Sequence, residues 1–258
     1  MKLSIITINY NNSAGLKKTI ESVANQSVAP YQYIVVDGAS NDGSVDVMNA
    51  FADLPFITLM SEPDSGIYNA MNKGIALAHG DYCLFLNSGD ILYDDKVIER
   101  LNDFTLERDI EYGNQYVDVN GTLKKDHFLD PTWISFDTLR NSHIPHQTSL
   151  IRTTWLKQHG GYNENYRIIS DWAFVMLSLF KWNGTIRHLE TPISIYDTTG
   201  ISSDTDKSPQ RAERNDFLQR EFARFMPDYE RWDKLKNSPW LKAAETFRNI
   251  RSKLLRKK

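Results

Sequence analysis

The sequence predicts an α/β fold: a mostly parallel sheet flanked by helices, with a small antiparallel hairpin region and a C-terminal helical extension. Three observations carry this prediction. Short, largely apolar runs at residues 3–8, 33–36 and 82–86 suit strands covered on both faces rather than strands with one wet side. Each run stops abruptly at a polar loop. Helical periodicities follow the strands through the first hundred residues, which is the alternation of right-handed crossovers in a parallel sheet.

Taken in order, residues 14–25 place Leu16, Ile20, Val23 and Ala24 on one side of a helix, and further helices are expected at 44–52, 68–78 and 95–104. The middle of the chain changes character. Residues 110–125 read as a hairpin turning at Asn120-Gly121, the dipeptide that accepts positive φ at both central positions. A loop-rich stretch around Pro131 and Pro145 follows, then a strand at 148–151 and a short helix stopped by Gly160-Gly161. A helix starting near Ser170 carries Phe174, Val175, Leu177 and Leu179. No internal repeat, low-complexity tract or linker interrupts the chain before Ser202.

Composition narrows the function classes. With 258 residues and 41% hydrophobic content the chain can bury a sizeable core. A net charge of −3 argues against a general nucleic-acid-binding surface. The lone Cys83 lies inside an apolar strand, so it reads as a buried structural thiol and no intrachain disulfide forms. No run approaches the ~20 apolar residues a membrane helix needs. Met1-Lys2 leads directly into a strand rather than a signal peptide, so the expectation is a cytoplasmic protein, soluble or peripheral.

The strand ends carry the chemistry. The first run ends in Thr7, Asn9, Tyr10, Asn11 and Asn12, the second delivers Asp37 into a glycine-containing loop, and the third stops at Asn87-Ser88-Gly89-Asp90. Polar groups at the carboxyl ends of parallel strands lie where open α/β sheets bind ligands. Together LSIITINYNN, VVDGASNDGS, SEPDSGIYNAMNKGIALAHGDY and FLNSGD resemble the inverting glycosyltransferases of family 2, whose catalytic domain is the nucleotide-sugar-binding GT-A fold. The resemblance covers roughly residues 1–203. It implies a GT-A domain over that span, with a nucleotide-binding half (1–104) and an acceptor half (105–203), followed by a helical extension over 204–258.

The resemblance also implies roles. A sugar, expected from UDP, passes to an acceptor hydroxyl. Thr7, Asn9, Tyr10 and Asp37 would hold the nucleoside, although Asp37 could equally organise its own turn. Asp64, Gly66 and Asn72 belong to the loop and helix start that flank the sugar nucleotide, with Gly66 permitting close backbone approach and the helix amino terminus attracting phosphate. Many relatives have Asp at the position of Asn69 and others have Arg at that of Met71. Lys73 is a candidate replacement for that Arg on the diphosphate, or a solvated helix residue.

Family members typically carry Asp-x-Asp at the third strand end, whereas this chain has Asn87-Ser88-Gly89, two positions without carboxylates. Asp90 is then the expected ligand of Mn²⁺ or Mg²⁺, with diphosphate oxygens completing the shell. Asn87 and Ser88 would contact the sugar nucleotide. Asp171, in GGYNENYRIISDW, fits the family's second acidic motif and so the base that deprotonates the acceptor. Its alternative is a first-turn carboxylate stabilised by the helix dipole. Glu164 is the reserve, and His146 and Trp172 are placed on the acceptor side. The loop Gly200-Ile201-Ser202-Ser203 resembles one that closes over the sugar nucleotide.

From Pro239 to Lys258, seven basic residues face one acid, Glu245, leaving +6. Trp240, Ala244, Phe247, Ile250 and Leu254 follow helical spacing. Such a helix can lie on anionic lipid, which suits a glycan acceptor carried on a polyprenyl diphosphate, or pack on its own domain or a second subunit. The expected process is synthesis of cell-surface polysaccharide. Two rival readings remain: another α/β nucleotide enzyme, weakened by the absence of a G-x-G-x-x-G after the first strand and of a Walker loop, and a silent sugar-nucleotide-binding scaffold, suggested by the missing carboxylates.

Overall fold

The structure, a computed structural model, describes residues 1–126, 134–198 and 206–241. It divides into two compact units, Met1–Lys207 and Ser208–Lys258.

In the first unit the chain alternates β1 (Leu3–Asn9), α1 (Ser13–Ala24), β2 (Gln32–Asp37), α2 (Ser44–Asn49), β3 (Ile57–Ser61), α3 (Ile67–Leu77) and β4 (Tyr82–Phe85). Then come β5 (Ile91–Leu92), α4 (Val97–Asn102), β6 (Ile110–Val119), β7 (Thr122–Lys125), α5 (Phe136–Asn141), β8 (Ser149–Arg152), α6 (Thr153–Gln158), α7 (Ser170–Phe180) and β9 (Ile186–Tyr196). One sheet joins the strands in the order β3-β2-β1-β4-β8-β6-β9-β5, with β7 paired to β6. The four strands from β3 to β4 are mutually parallel. Beyond β4 the pairings are antiparallel except β6 with β9. The expected α/β class holds.

The register explains why the site forms where it does. Asn9 pairs with Asp37 and Asp37 with Ser61, so three strands end flush. The backbone N–H of Ser88 donates to Ile8 O at 3.1 Å, which carries the alignment past β4. At β1, β2 and β4 the sheet is buried on both faces: Ile5, Ile6, Ile34, Val35, Leu84 and Phe85 are fully enclosed. Leu16, Ile20 and Val23 of α1 pack into the same core, as their spacing requires. On α3, Gly74 lies against β1 so closely that a methyl group there would overlap Ile6 Cγ2.

The hairpin turns at Asn120 (φ 54°) and Gly121 (φ 79°), the positive-φ pair its sequence calls for. Gly160 and Gly161 also take positive φ beyond α6. Strands β3, β5 and β9 are elements the sequence reading missed. β9 lies in a stretch whose apolar and polar residues alternate, and β3 is only partly covered on every inward residue. Cys83 is buried, with its thiol 3.3 Å from Thr153 Oγ1, and burial pushes that thiol up to about 11. It is a packing residue.

The second unit contains α8 (Ser208–Phe222) and α9 (Met226–Lys236), the latter with proline at its amino end. Phe217 and Phe222 are buried with their rings 5.8 Å apart, while Trp232 and Trp240 are exposed. No helix among the described residues is long and apolar enough to cross a membrane. Residues 242–258, most of the basic tail, and residues 199–205, with the Gly200–Ser203 loop, lie outside the described residues.

The contact between α3 and β1 yields a test of the packing. Alanine is the better helix former by roughly 1 kcal/mol. Overpacking against the buried, branched Ile6 costs about 1–3 kcal/mol. Gly74→Ala is therefore expected to lower the urea midpoint; an unchanged or higher midpoint would mean that α3 is free to move off the sheet.

Candidate active site

The flush strand ends are tied by side chains. Asp37 is fully buried and accepts from Asn9 Nδ2 at 2.7 Å, Ser40 N at 2.9 Å, Ser40 Oγ at 2.6 Å and Ser61 Oγ at 2.7 Å. Burial pushes its carboxyl up, but the hydrogen bonds from Ser40, Asn9 and Ser61 outweigh that and hold it below the usual carboxylate range. The other end of the Asn9 amide accepts from Ser88 Oγ at 2.7 Å. A polar chain Ser61–Asp37–Asn9–Ser88 thus runs across all four parallel strands. Thr7 does not reach this rim: it is buried and bonded to the Tyr33 hydroxyl at 3.0 Å. Tyr10 stands one residue beyond β1, 68% exposed, with its ring beside Gly38.

The loop after β4 is held from α1. Asn12, the cap of α1, accepts from Gly15 N at 3.1 Å and donates to Ser88 O at 3.1 Å. Thr19 Oγ1 donates to Asp90 O at 2.8 Å and accepts from Gly89 N at 2.9 Å. Gly89 takes φ 108°, a conformation that glycine adopts without a steric penalty. Asp90 is buried, and its Oδ1 accepts from the backbone N–H of Asp197 at 2.9 Å. Burial pushes its carboxyl up to about 6 against the pull of Asp197 N, His146 and Gln147, with the Asp197 charge adding to the rise.

Asp171 lies in the first turn of α7 and faces the same rim. Its Oδ1 accepts from the Tyr68 hydroxyl of α3 at 3.0 Å and its Oδ2 is 3.0 Å from His146 Nδ1. Burial raises its carboxyl, but the hydrogen bond and charge of His146, the Trp172 backbone and Tyr68 bring it below the ordinary value. The other imidazole nitrogen, His146 Nε2, meets Asn87 Nδ2 at 3.1 Å. A line of contacts Tyr68–Asp171–His146–Asn87 therefore connects the first turn of α7 to the loop after β4. His146 enters it from a 3₁₀ turn (His146–Thr148) that precedes β8. Trp172 is buried and donates to Leu139 O at 2.8 Å, so it supports α7 rather than opening to the rim.

The flanking loop is also bonded. Asp64 Oδ1 accepts from Gly66 N at 2.9 Å, and Gly66 takes φ 138° at the start of α3. Glu164 accepts from Asn69 Nδ2 at 2.9 Å and from Asn72 Nδ2 at 2.8 Å, which clips α3 to the loop before α7. Asn72 also bonds Tyr162 in both directions, each at 2.8 Å. Lys73 Nζ reaches Glu62 at 2.8 Å and Pro63 O at 2.8 Å. The rim therefore gathers Asn9, Asp37, Asn87, Ser88, Asp90, His146 and Asp171. Tyr68 and Asp197 belong to it as well and were missed from sequence. Tyr68 resembles an ordinary helix aromatic, and Asp197 follows a strand that was not recognised.

Among the described residues no three His, Cys, Asp or Glu side chains converge as a metal cage. A divalent ion held by Asp90 would therefore draw on one neighbouring carboxylate and on ligand oxygens. Two features fit that demand. The Asn87 side-chain oxygen is buried and without a hydrogen-bond partner among the described residues. The space a side chain at Gly89 would fill is taken by the Asp197 carboxylate. These are hard oxygen donors of the kind Mg²⁺ and Mn²⁺ take.

Comparison with known proteins bears on the family and the fold. A family model described as glycosyl transferase family 2 matches residues 4–159. A PGL/p-HBAD biosynthesis glycosyltransferase of Mycobacterium bovis (strain BCG / Pasteur 1173P2) is 29% identical over 208 residues, covering 78% of this chain and 79% of the relative. The crystal structure of S. aureus TarS 1-349 in complex with UDP-GlcNAc superposes with a TM-score of 0.64 at 17% identity, covering 80% of this chain and 61% of that one. A mannosyltransferase from Pyrobaculum calidifontis in complex with GDP-Man and Mn²⁺ gives 0.60 at 14% identity, over 88% of this chain and 64% of that one. This chain thus spans less than two thirds of either solved structure, and at these identities the likeness shows the fold. With a family match that covers more than half of its length on a GT-A sheet, the chain belongs to glycosyl transferase family 2.

Proposed function

We propose that this glycosyltransferase moves a hexosyl or N-acetylhexosaminyl group from a UDP-sugar to a hydroxyl of a glycan or polyprenyl-diphosphate-linked oligosaccharide, with inversion, in cell-surface polysaccharide or glycolipid synthesis. The single observation that carries the reading is the position of Asp171. It is an ionised carboxylate oriented by two neighbours and connected through His146 to the loop after β4.

On this reading Tyr10 offers its exposed ring to the nucleobase, and Asn9 and Asp37 shape the floor beneath the ribose. Asp64 and Gly66 bring the amino end of α3 toward the diphosphate. Asn87 and Ser88 border the sugar. A divalent ion, when bound at Asp90, would neutralise the charge that develops on the departing diphosphate. The acceptor hydroxyl gives its proton to Asp171 as its oxygen forms the bond to the anomeric carbon. The bond from that carbon to the diphosphate oxygen breaks, and UDP leaves. A single displacement inverts the anomeric configuration. Tyr68 and His146 keep both Asp171 oxygens oriented, and each oxygen retains a lone pair for the incoming proton.

The acceptor would be met at the inner face of a membrane, where the basic residues of 239–258 supply attraction to anionic lipid. That part of the reading rests on sequence. The alternative of a silent binding protein would retain UDP-sugar binding without turnover.

The reading is tested by incubating the protein with UDP-Glc, UDP-GlcNAc and GDP-Man and an acceptor glycan, following nucleotide release and the anomeric coupling of the product. Product with the donor's configuration retained would overturn the single displacement, and binding without release under all conditions would favour the scaffold. Asp171→Asn keeps the size of the side chain and an acceptor oxygen for one of its two partners but removes the base, so turnover is expected to fall about 10²–10⁴-fold with UDP affinity unchanged. A variant as active as wild type would remove Asp171 from the chemistry.

Asp90 gives a pH-dependent expectation. Its folded value near 6 lies above the ordinary 3.8, so between roughly pH 4 and pH 6 the folded protein binds more protons than the unfolded chain. Its contribution to stability is fully present below about pH 4 and is lost as pH rises through 6. Asp90→Asn removes that titration. Urea unfolding at pH 4.5 and 7.5 is expected to show the variant gaining on wild type at the higher pH, by an amount on the order of 2–3 kcal/mol. Parallel pH profiles would show that the Asp90 carboxyl is not desolvated.

A further inference from the structure

We infer that the last turns of α9 and the helical turn after it lie on an anionic lipid bilayer, with Trp232, Leu235, Trp240 and Leu241 entering the interface. This deepens the reading above, which rests the membrane contact on basic charge alone, by giving that contact a set of apolar side chains.

The second unit does not use these side chains for its own core. Its buried apolar residues are Phe217, Leu218 and Phe222 of α8 and Met226 at the start of α9. Farther along α9, Trp232 is 47% exposed and Leu235 is 53% exposed, and residues three apart on a helix share a face. Asn237 caps α9, Leu241 N donates to Ser238 Oγ at 3.3 Å, and the turn so started carries Trp240, 87% exposed, and Leu241. Four large apolar side chains thus face solvent between residues 232 and 241. Exposed apolar groups gathered in this way mark a surface that meets a partner.

Charge selects the partner. Lys234 and Lys236 lie in the last turn of α9. Residues 242–258 then carry seven basic side chains against one acid, in a chain whose total charge is −3, so the remainder is net acidic. The positive charge is concentrated in sequence directly after the aromatic segment, which favours an anionic surface. Lys236 Nζ stands 5.3 Å from the centroid of the Trp232 ring. Such a pair joins an apolar plate to an ammonium group. At the boundary of a bilayer the ring enters at headgroup level and the ammonium meets the phosphates. A second copy of the chain fits less well, because a twofold contact through this face sets the same basic run against itself and like charges repel.

The two kinds of side chain divide the work. Basic charge draws the protein to the lipid and is screened by salt, whereas the apolar side chains hold it there and are not.

The test uses the full chain and two sets of vesicles, phosphatidylglycerol mixed with phosphatidylcholine and phosphatidylcholine alone. Binding is followed by co-sedimentation at low and high salt, and insertion by quenching of tryptophan fluorescence with brominated lipid tails. The wild type is expected to bind the anionic vesicles and to be quenched, and Trp232→Phe with Trp240→Phe to remove most of the quenching while binding is kept. Replacing Trp232→Ser and Leu235→Ser together is expected to weaken binding roughly tenfold or more, with the difference persisting at high salt. Binding equal to wild type in the serine pair would leave charge as the whole attraction and overturn the insertion. So would wild-type protein that binds without quenching, or that binds neither set of vesicles. A wild-type mass twice that of the chain in the absence of lipid, reduced to one chain in the serine pair, would assign the face to a second copy instead. Should the serine pair melt below wild type, the quenching of the wild type and of the phenylalanine pair decides. Release of UDP in the presence of a soluble acceptor is measured alongside: vesicle binding lost with turnover intact supports this face and leaves the transferase reading untouched, whereas wild type that inserts but does not turn over counts against the transferase reading alone.

Discussion

The charge of Asp37 is the constraint on which the parallel half depends. A carboxylate with no solvent exposure is tolerated only where hydrogen bonds replace its water. Here the replacements come from the neighbouring strand ends on both sides, Asn9 from β1 and Ser61 from β3, together with Ser40 from its own loop. Satisfying one charge therefore requires β1, β2 and β3 to end level. The second face of the Asn9 amide extends the requirement to Ser88 after β4. In this register the buried charge is satisfied and the strand ends form a level rim.

What the parallel half builds, the mixed half completes. Asp171 comes from α7, His146 from the turn before β8 and Asp197 from the end of β9, all outside the first hundred residues. They reach the rim because β8 pairs antiparallel to β4, which carries the returning chain back beside the strand ends. Glu164, clasped by Asn69 and Asn72, fixes the loop before α7 against α3. Tyr68 then has a defined distance to Asp171. The orientation of the Asp171 carboxylate is thus supported by a clip made by two amides and one acid, which on the proposed reading take no part in proton transfer.

The parallel strands β1, β2 and β4 were legible because burial on both faces leaves a plain mark in composition, which the partly covered β3 lacks, and the hairpin was legible because only a few dipeptides accept two positive φ values. β9 was passed over because it sits in a half-covered region where apolar runs are broken, and with it went Asp197. Candidate roles for Asn9, Asp37, Asn87, Asp90 and Asp171 came from the family resemblance, with the strand ends supplying only their place on the rim. Their partners were legible in neither. Tyr68 and Asp171 are 103 residues apart, and no local pattern encodes a hydrogen bond between them. Lys73 shows the converse: its charge was visible in the sequence, but Glu62, which engages it, was not recognised as its neighbour.

The polar chain across the strand ends also has a consequence for how the protein comes into being. Ser61, Asp37, Asn9 and Ser88 are supplied by four strands, and the contact between Asn9 and Ser88 closes a loop of 79 residues. Such a contact carries the entropy cost of bringing distant segments together before it returns any stabilisation. Until β4 has docked beside β1, the Asn9 amide lacks its Ser88 partner. Pairing of β4 is therefore what brings the loop after it to Asn9, and the rim of the sheet is complete only when all four strands have docked.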